Sequence, residues 1–373
     1  MSKDWGIKNF VNCLEKIVYT TKIKCKNFLD IGEFPIISQE QDHINGYWNN
    51  SNDLFRIKKP VVIFGDHTKV LKFVDFDFVL GADGVKILQP INEIEPRYFY
   101  YYLQNVNLGD LGYARHYRLL KKIKIHYPKS LPEQKRIVSI LDKGFAAIDK
   151  AVANTEKNLQ NAKELFDSYL NEIFSNPGDD WERKKLGAIA DAEYGFTAKA
   201  KSTGEYRYVR ITDIDVNGSL THNSKKYVNH STEITKYVLK NNDLLMARTG
   251  ATFAKVLLYK DIEPSIFASY LIKITFHEKN VNELYWFFSK TRYYWVQAEE
   301  LSSGTAQPHF NGKALKQVFF PYPKSLDEQK LLITKFRNLY ADTKRLESIY
   351  QQKLDNLKEL KQSILHKAFE GEL

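Results

Sequence analysis

Residues 127–135 read YPKSLPEQK, and residues 322–330 read YPKSLDEQK. Eight of nine positions match at an offset of 195, and the likeness continues without a gap. NLQNAKELFDSYLNEIF (158–174) lies over KLDNLKELKQSILHKAF (353–369). A solenoid has short, numerous repeats. Two copies of a unit approaching two hundred residues mean instead that a pair of segments was duplicated.

Each repeated segment reads as one long helix. Pro132 is tolerated in a first turn, and Asp327 in the second copy suits the positive helix N-terminus. An apolar stripe runs Leu332, Phe336, Leu339, Thr343, Leu346, Tyr350, Lys353, Leu357, Leu360, Ile364. Its alternating steps of four and three are a heptad seam. The same register in the first copy gives Ile137, Leu141, Gly144, Ile148, Ala151, Thr155, Asn158, Ala162, Leu165, Tyr169, weak at Gly144, Thr155 and Asn158. The expectation is an antiparallel two-helix coil, with a first helix about 63 Å long. SNPGDD (175–180) ends that helix with Pro and Gly.

The chain therefore alternates: globular region 1–128, helix 129–176, globular region 177–321, helix 322–373. The expected class is α+β, with two α/β heads related by a pseudo-dyad. The heads mix strand-like stretches (VVIFG at 61–65, KVLLY at 255–259) with aromatic helices (RYFYYYLQN at 97–105, ELYWFFSK at 283–290). NDL recurs at 52–54 and 242–244, a weak echo between them.

With 373 residues, 43% apolar and 14% aromatic, the chain has ample material for two cores. Its net charge of +10 favours a polyanionic partner. Each globular region carries about +4 of that excess. Cys13 and Cys25 alone make neither a disulfide framework nor a four-ligand zinc site. No apolar run approaches the length of a membrane span and no secretory leader is apparent, so a cytoplasmic location is expected.

Two diverged heads, each followed by a long helix opening with YPKSL-x-EQK, resemble the specificity subunits of type I restriction–modification systems. Trp181 with RKKLG (183–187), SSGTAQPHFNGKAL (302–315) and FGDHTKVLKFVDFDFVLGADGVKIL (64–88) carry the same likeness. The first head lacks the tidy Trp-x-x-x-x-Leu-Gly opening. The resemblance implies that each head is a target recognition domain reading half of a split DNA target. It implies that the helices set the spacing and dock two methyltransferase subunits, which motor-nuclease subunits join. S-adenosylmethionine, ATP and magnesium would belong to those partners, and this chain would catalyse nothing. Because the heads differ, the target should be asymmetric. Half-sites one turn apart, roughly 34 Å, sit within the reach of such helices.

Base edges are read by Arg, Lys, Asn and Gln, and phosphates by Lys, Arg, Ser and His. The candidates in the first head are Gln39, Gln41, His43, Lys69, Arg115, His116 and Arg118. In the second they are Arg207, Arg210, Arg248, Thr249, Lys255, Ser303, Gln307 and His309. Arg115 and Arg248 stand out because each lies in a loop flanked by apolar segments.

The motifs of other classes are missing. There is no GxxxxGK[ST] loop and no HExxH. The sole Asn-Pro, in NPGDD, is a helix stop. Glu182-x-Lys184 lacks the upstream acid that a metal-dependent nuclease needs. Two readings stay open beside DNA recognition: a coiled-coil scaffold presenting protein-binding heads, and a specificity module of another defence system.

Overall fold

Two matching strand pairs frame the duplicated helices. The computed structural model describes residues 4–373 except 82–83, 110, 113, 216, 279–280 and 304–308. It divides into two compact units, residues 1–156 with 352–373 and residues 157–351. The four consecutive segments read from the sequence are thus not four bodies, because each long helix contributes residues to both units.

In the first unit, β1 (Trp5–Asn9), β2 (Lys22–Ile23), β3 (Phe34–Ile37), β4 (Gly46–Trp48), β5 (Leu54–Phe55) and β6 (Val61–Gly65) come first. Then follow β7 (Leu71–Val74), β8 (Phe78–Gly81), β9 (Val85–Leu88), α1 (Pro96–Asn105), α2 (Tyr117–Leu120), β10 (Lys124–Pro128) and α3 (Leu131–Ser175), which runs on into the second unit. In the second unit come β11 (Trp181–Lys185), α4 (Leu186–Ile189), β12 (Ala190–Tyr194), β13 (Tyr206–Val209), β14 (Tyr227–Val228), β15 (Leu244–Ala247) and β16 (Val256–Leu258). They lead to β17 (Ser265–Phe267), β18 (Leu271–Phe276), α5 (Val281–Phe288), α6 (Arg292–Leu301), α7 (Gly312–Leu315), β19 (Phe319–Pro323) and α8 (Leu326–Glu370).

The two heads share one topology. The order β7-β6-β9 in the first corresponds to β16-β15-β18 in the second. β3 pairs antiparallel with β4 and parallel with β8, as β13 does with β14 and β17. β1 lies antiparallel to β10 with Trp5 opposite Pro128, and β11 to β19 with Trp181 opposite Pro323. Trp5 is therefore the counterpart of Trp181, and buried Phe10 stands where buried Leu186 does. The Phe10 amide donates to the Ile123 carbonyl (3.0 Å), and that of Leu186 to Val318 (2.8 Å). The opening that seemed missing is present, with Phe in place of Leu-Gly.

The NDL echo is accidental. Leu244 begins the central strand β15, whereas Leu54 begins β5, which pairs with β8 in another sheet. The counterpart of β15 is β6, whose KKPVVIFG reads nothing like it.

Both long helices hold 45 residues, about 67 Å of α-helix. Ile137, Leu141, Phe145 and Ile148 of α3 share a core with Leu365, Ala368 and Phe369 of α8 in the first unit. Phe166, Leu170 and Phe174 do so with Leu332, Ile333 and Phe336 in the second. Within each unit, then, the start of one helix meets the end of the other, which is antiparallel packing. One row of the expected seam holds: Leu141, Ile148, Thr155 and Ala162 are buried. The other row sits one residue later, at Phe145, Val152, Leu159 and Phe166, while Asn158 and Leu165 face out. The shift repeats in α8, where half-buried Leu354 replaces exposed Lys353. The apparent weak points at Gly144 and Asn158 are therefore not seam positions.

The shared Gln of the repeat locks each helix to its head. Gln134 is fully buried, and its Nε2 donates to the carbonyls of Glu93 (2.9 Å) and Pro128 (2.7 Å). Its Oε1 accepts from the Glu95 amide (2.8 Å). Gln329 is equally buried and donates to the Pro323 carbonyl (2.8 Å), but its Oε1 has no partner among the described residues.

Candidate nucleic-acid interface

In each head the central hairpin of the sheet projects a turn into a cluster of loops. In the second, β15 stops at Ala247 because the chain must leave the sheet to return as β16. Arg248 then donates its amide to the Tyr270 carbonyl (3.1 Å) and accepts from the Phe310 amide (2.8 Å). Its guanidinium lies 5.3 Å from the Tyr194 ring centre and 5.1 Å from that of Tyr270. Two half-exposed rings thus flank the cation. Contact of a cation with aromatic faces suits Arg and preorganises its fork. The Arg248 Nε is buried and has no acceptor among the described residues. Tyr194 is itself fixed, since its hydroxyl accepts from the Gly312 amide (2.9 Å).

The neighbouring candidates converge here. Thr249 pairs with His309, and His309 pairs with Ser303, through backbone bridges. Ser303 and His309 are exposed, and the Thr249 side chain is buried. The Thr252 hydroxyl donates to the Ile211 carbonyl (3.2 Å), which brings Arg210 close. Arg210 is half-buried and forks onto Asp213 (2.8 and 3.2 Å). Gln307 lies outside the described residues.

Two candidates of the second head belong elsewhere. Arg207 is only 1% exposed. It donates to Asp261 (3.1 Å) and the Thr221 carbonyl, and it meets His222 Nδ1 (3.3 Å). Burial alone would raise the Asp261 pKa, but the amides of Glu263 and Ile262 and the Arg207 charge hold it below the usual carboxylate range. Arg207 is therefore an internal brace for the 221–222 loop and cannot reach a groove. Lys255 lines a cavity beside the long helices, with Lys290 and Lys344.

The first head builds the same cluster from different chemistry. Asp66 occupies the position of Arg248: its amide donates to the Gly84 carbonyl (2.7 Å), and its carbonyl accepts from the His116 amide (2.8 Å). Its buried carboxylate accepts from the Tyr117 amide (2.7 Å), a cap for α2. Lys69 closes the hairpin at φ 61°, in the left-handed region. Gln39 is tied in, with its carbonyl accepting from Thr68 Oγ1 (2.6 Å) and its Oε1 from the His67 amide (3.4 Å). Gly84 has φ 93°, and a Cβ there would come 2.6 Å from that Oε1, so only Gly fits.

Gln41 and His43 are exposed on the next loop. Buried Lys72 pins that loop by donating to the Asp42 carbonyl (2.5 Å) and to Asn45 Oδ1 (2.8 Å). Burial pushes the Lys72 pKa down to about 8. Arg115 and Arg118 are exposed, but His116 between them is wholly buried, accepting from the Leu111 amide (3.2 Å). His116 is part of the scaffold. Sequence reading missed Tyr194, Tyr270, Asp66 and Lys72, none of which has a local signature.

The family model for the type I restriction modification DNA specificity domain matches residues 14–160 and 178–356. The chain belongs to this family. It is 28% identical over 248 residues to the EcoR124I/EcoR124II specificity subunit of Escherichia coli, covering 61% of this chain and 60% of that one. It is 27% identical over 266 residues to the StySPI specificity subunit of Salmonella potsdam, covering 65% and 56%. The matched stretch thus spans under two thirds of these relatives' own lengths. The fold matches a chain solved in a study of complex assembly and conformational transition of the type I R-M system. That match has a TM-score of 0.76 and 14% identity, and covers 100% of this chain and 99% of the other. The HsdS subunit from Thermoanaerobacter tengcongensis matches with a TM-score of 0.60 and 16% identity, over 100% and 98%. Among the described residues no helix is long and apolar enough to cross a membrane.

Proposed function

We propose that this specificity-domain chain is the DNA-reading, non-catalytic subunit of a type I restriction–modification complex. The observation that carries the reading is the pair of loop clusters: one backbone scaffold, used twice, presents Asp66 in one head and a ring-clamped Arg248 in the other. A scaffold repeated with its tips changed suits two unlike half-sites. Exposed Gln41, His43, Arg115 and Arg118 and half-buried Lys69, with Gln39 behind them, face one half-site. Arg248, Arg210, Ser303 and His309 face the other. Arg248 is the base reader, because a guanidinium fork matches guanine O6 and N7.

The exposed faces of α3 and α8 dock two methyltransferase subunits and set the spacer, and motor-nuclease subunits join that core. S-adenosylmethionine, ATP and magnesium act in those partners. Affinity for random duplex DNA, measured across salt concentrations, tests the DNA reading. It should fall steeply as salt rises. A salt-independent affinity would favour a protein-binding scaffold instead.

A further inference from the structure

In the second unit, a cavity of about 520 Å³ opens between α3, α8 and the head. Four lysines line it: Lys163 on α3, Lys255 before β16, Lys290 after α5 and Lys344 on α8. Two carboxylates oppose them. Glu347 is paired with Lys344 (2.9 Å), while Asp167 makes no ion pair among the described residues. Among the described residues Lys163, Lys255 and Lys290 have no carboxylate within salt-bridge distance either. Lys290 donates to the Asn217 carbonyl (2.5 Å) and lies 4.1 Å from the Trp286 ring centre. Burial pushes its pKa down to about 8, against the pull of Asp215 and Asp167.

Desolvation of the Lys290 ammonium is costly and only partly offset by Asp215 and Asp167, and three cations around one wet cavity repel each other. A multiply charged anion removes both penalties. Lysine serves phosphate well as a point charge on a mobile stem.

We infer that this cleft binds phosphate through Lys163, Lys255 and Lys290. The phosphate comes either from a free polyphosphate or from the backbone of duplex DNA. The site lies away from the loop cluster of the same head and does not depend on that cluster reading bases.

Calorimetric titration of the full chain with inorganic tripolyphosphate, at low salt and pH 7, tests the first source. One site is expected, weakened at least tenfold by Lys255→Gln or Lys290→Gln and retained by Lys255→Arg. Lys163→Gln, on an exposed helix face, should weaken it without affecting the fold, and thermal melts identify any variant that unfolds. The second arm measures the salt slope of binding to random duplex DNA, which should drop by about 1 for each backbone contact removed. Loss in the first arm assigns a free polyphosphate, and loss in the second assigns DNA backbone. If folded variants leave both tripolyphosphate affinity and the DNA salt slope unchanged, the site does not exist.

Discussion

Asp66 and Arg248 hold the same backbone position in the two heads, with matching hydrogen bonds before and after them. The acid points inward and caps a helix, whereas the base is clamped between tyrosines beside exposed loops. Duplication thus preserved the hairpin and its backbone contacts, while the side chain carried at this position diverged. Buried cations show the same division. Lys72 in one head and Arg207 in the other each brace a neighbouring loop, but Lys72 meets only neutral acceptors while Arg207 meets Asp261.

That contrast can be broken by substitution. Arg207→Met strands the Asp261 charge and should cost about 3–5 kcal/mol, seen as a large fall in urea midpoint. Lys72→Met leaves no charge unpaired, so its fall should be far smaller; equal falls would undo the contrast. Next come the repeat glutamines. Among the described residues Gln134 makes three hydrogen bonds and Gln329 one. Gln134→Leu should therefore cost about 1–3 kcal/mol, and Gln329→Leu clearly less, by the same denaturation assay.

At the loop clusters, Arg248→Ala should relax one base of one half-site by about 1–3 kcal/mol of discrimination, read by competition binding. Asp66→Ala should lower stability and leave base preference alone. A smaller effect is expected from Arg115→Ala: uniformly weaker DNA binding and a salt slope reduced by about 1.

The smallest effect is on pH dependence. Burial lets folded Lys72 release its proton near pH 8, while the unfolded chain keeps it to about 10.5. The unfolded state binds more protons across that window, so this residue makes stability rise with pH there. Unfolding midpoints of Lys72→Met should show a shallower rise between pH 8 and 10.5.

Much of this architecture was legible in the sequence. The nine-residue repeat announced the duplication, and the four–three spacing announced the long helices. The seam was misplaced by one residue in one row, because Leu165 and Leu360 are apolar yet exposed and so mimic seam positions. The first head's opening escaped notice since Phe10 replaces the Leu-Gly that marks the second. The equivalence of Asp66 and Arg248 was not legible at all. It is fixed by strand pairing, and the NDL echo pointed to the wrong strand. Arg207 and His116 looked like surface readers because sequence shows charge but not the internal acceptors that bury it.

Mapping methylated bases after coexpression with the methyltransferase tests the central claim most directly. Methylation is expected at a split, asymmetric target, with Arg248→Ala altering only one half. A continuous or palindromic methylated motif would contradict it.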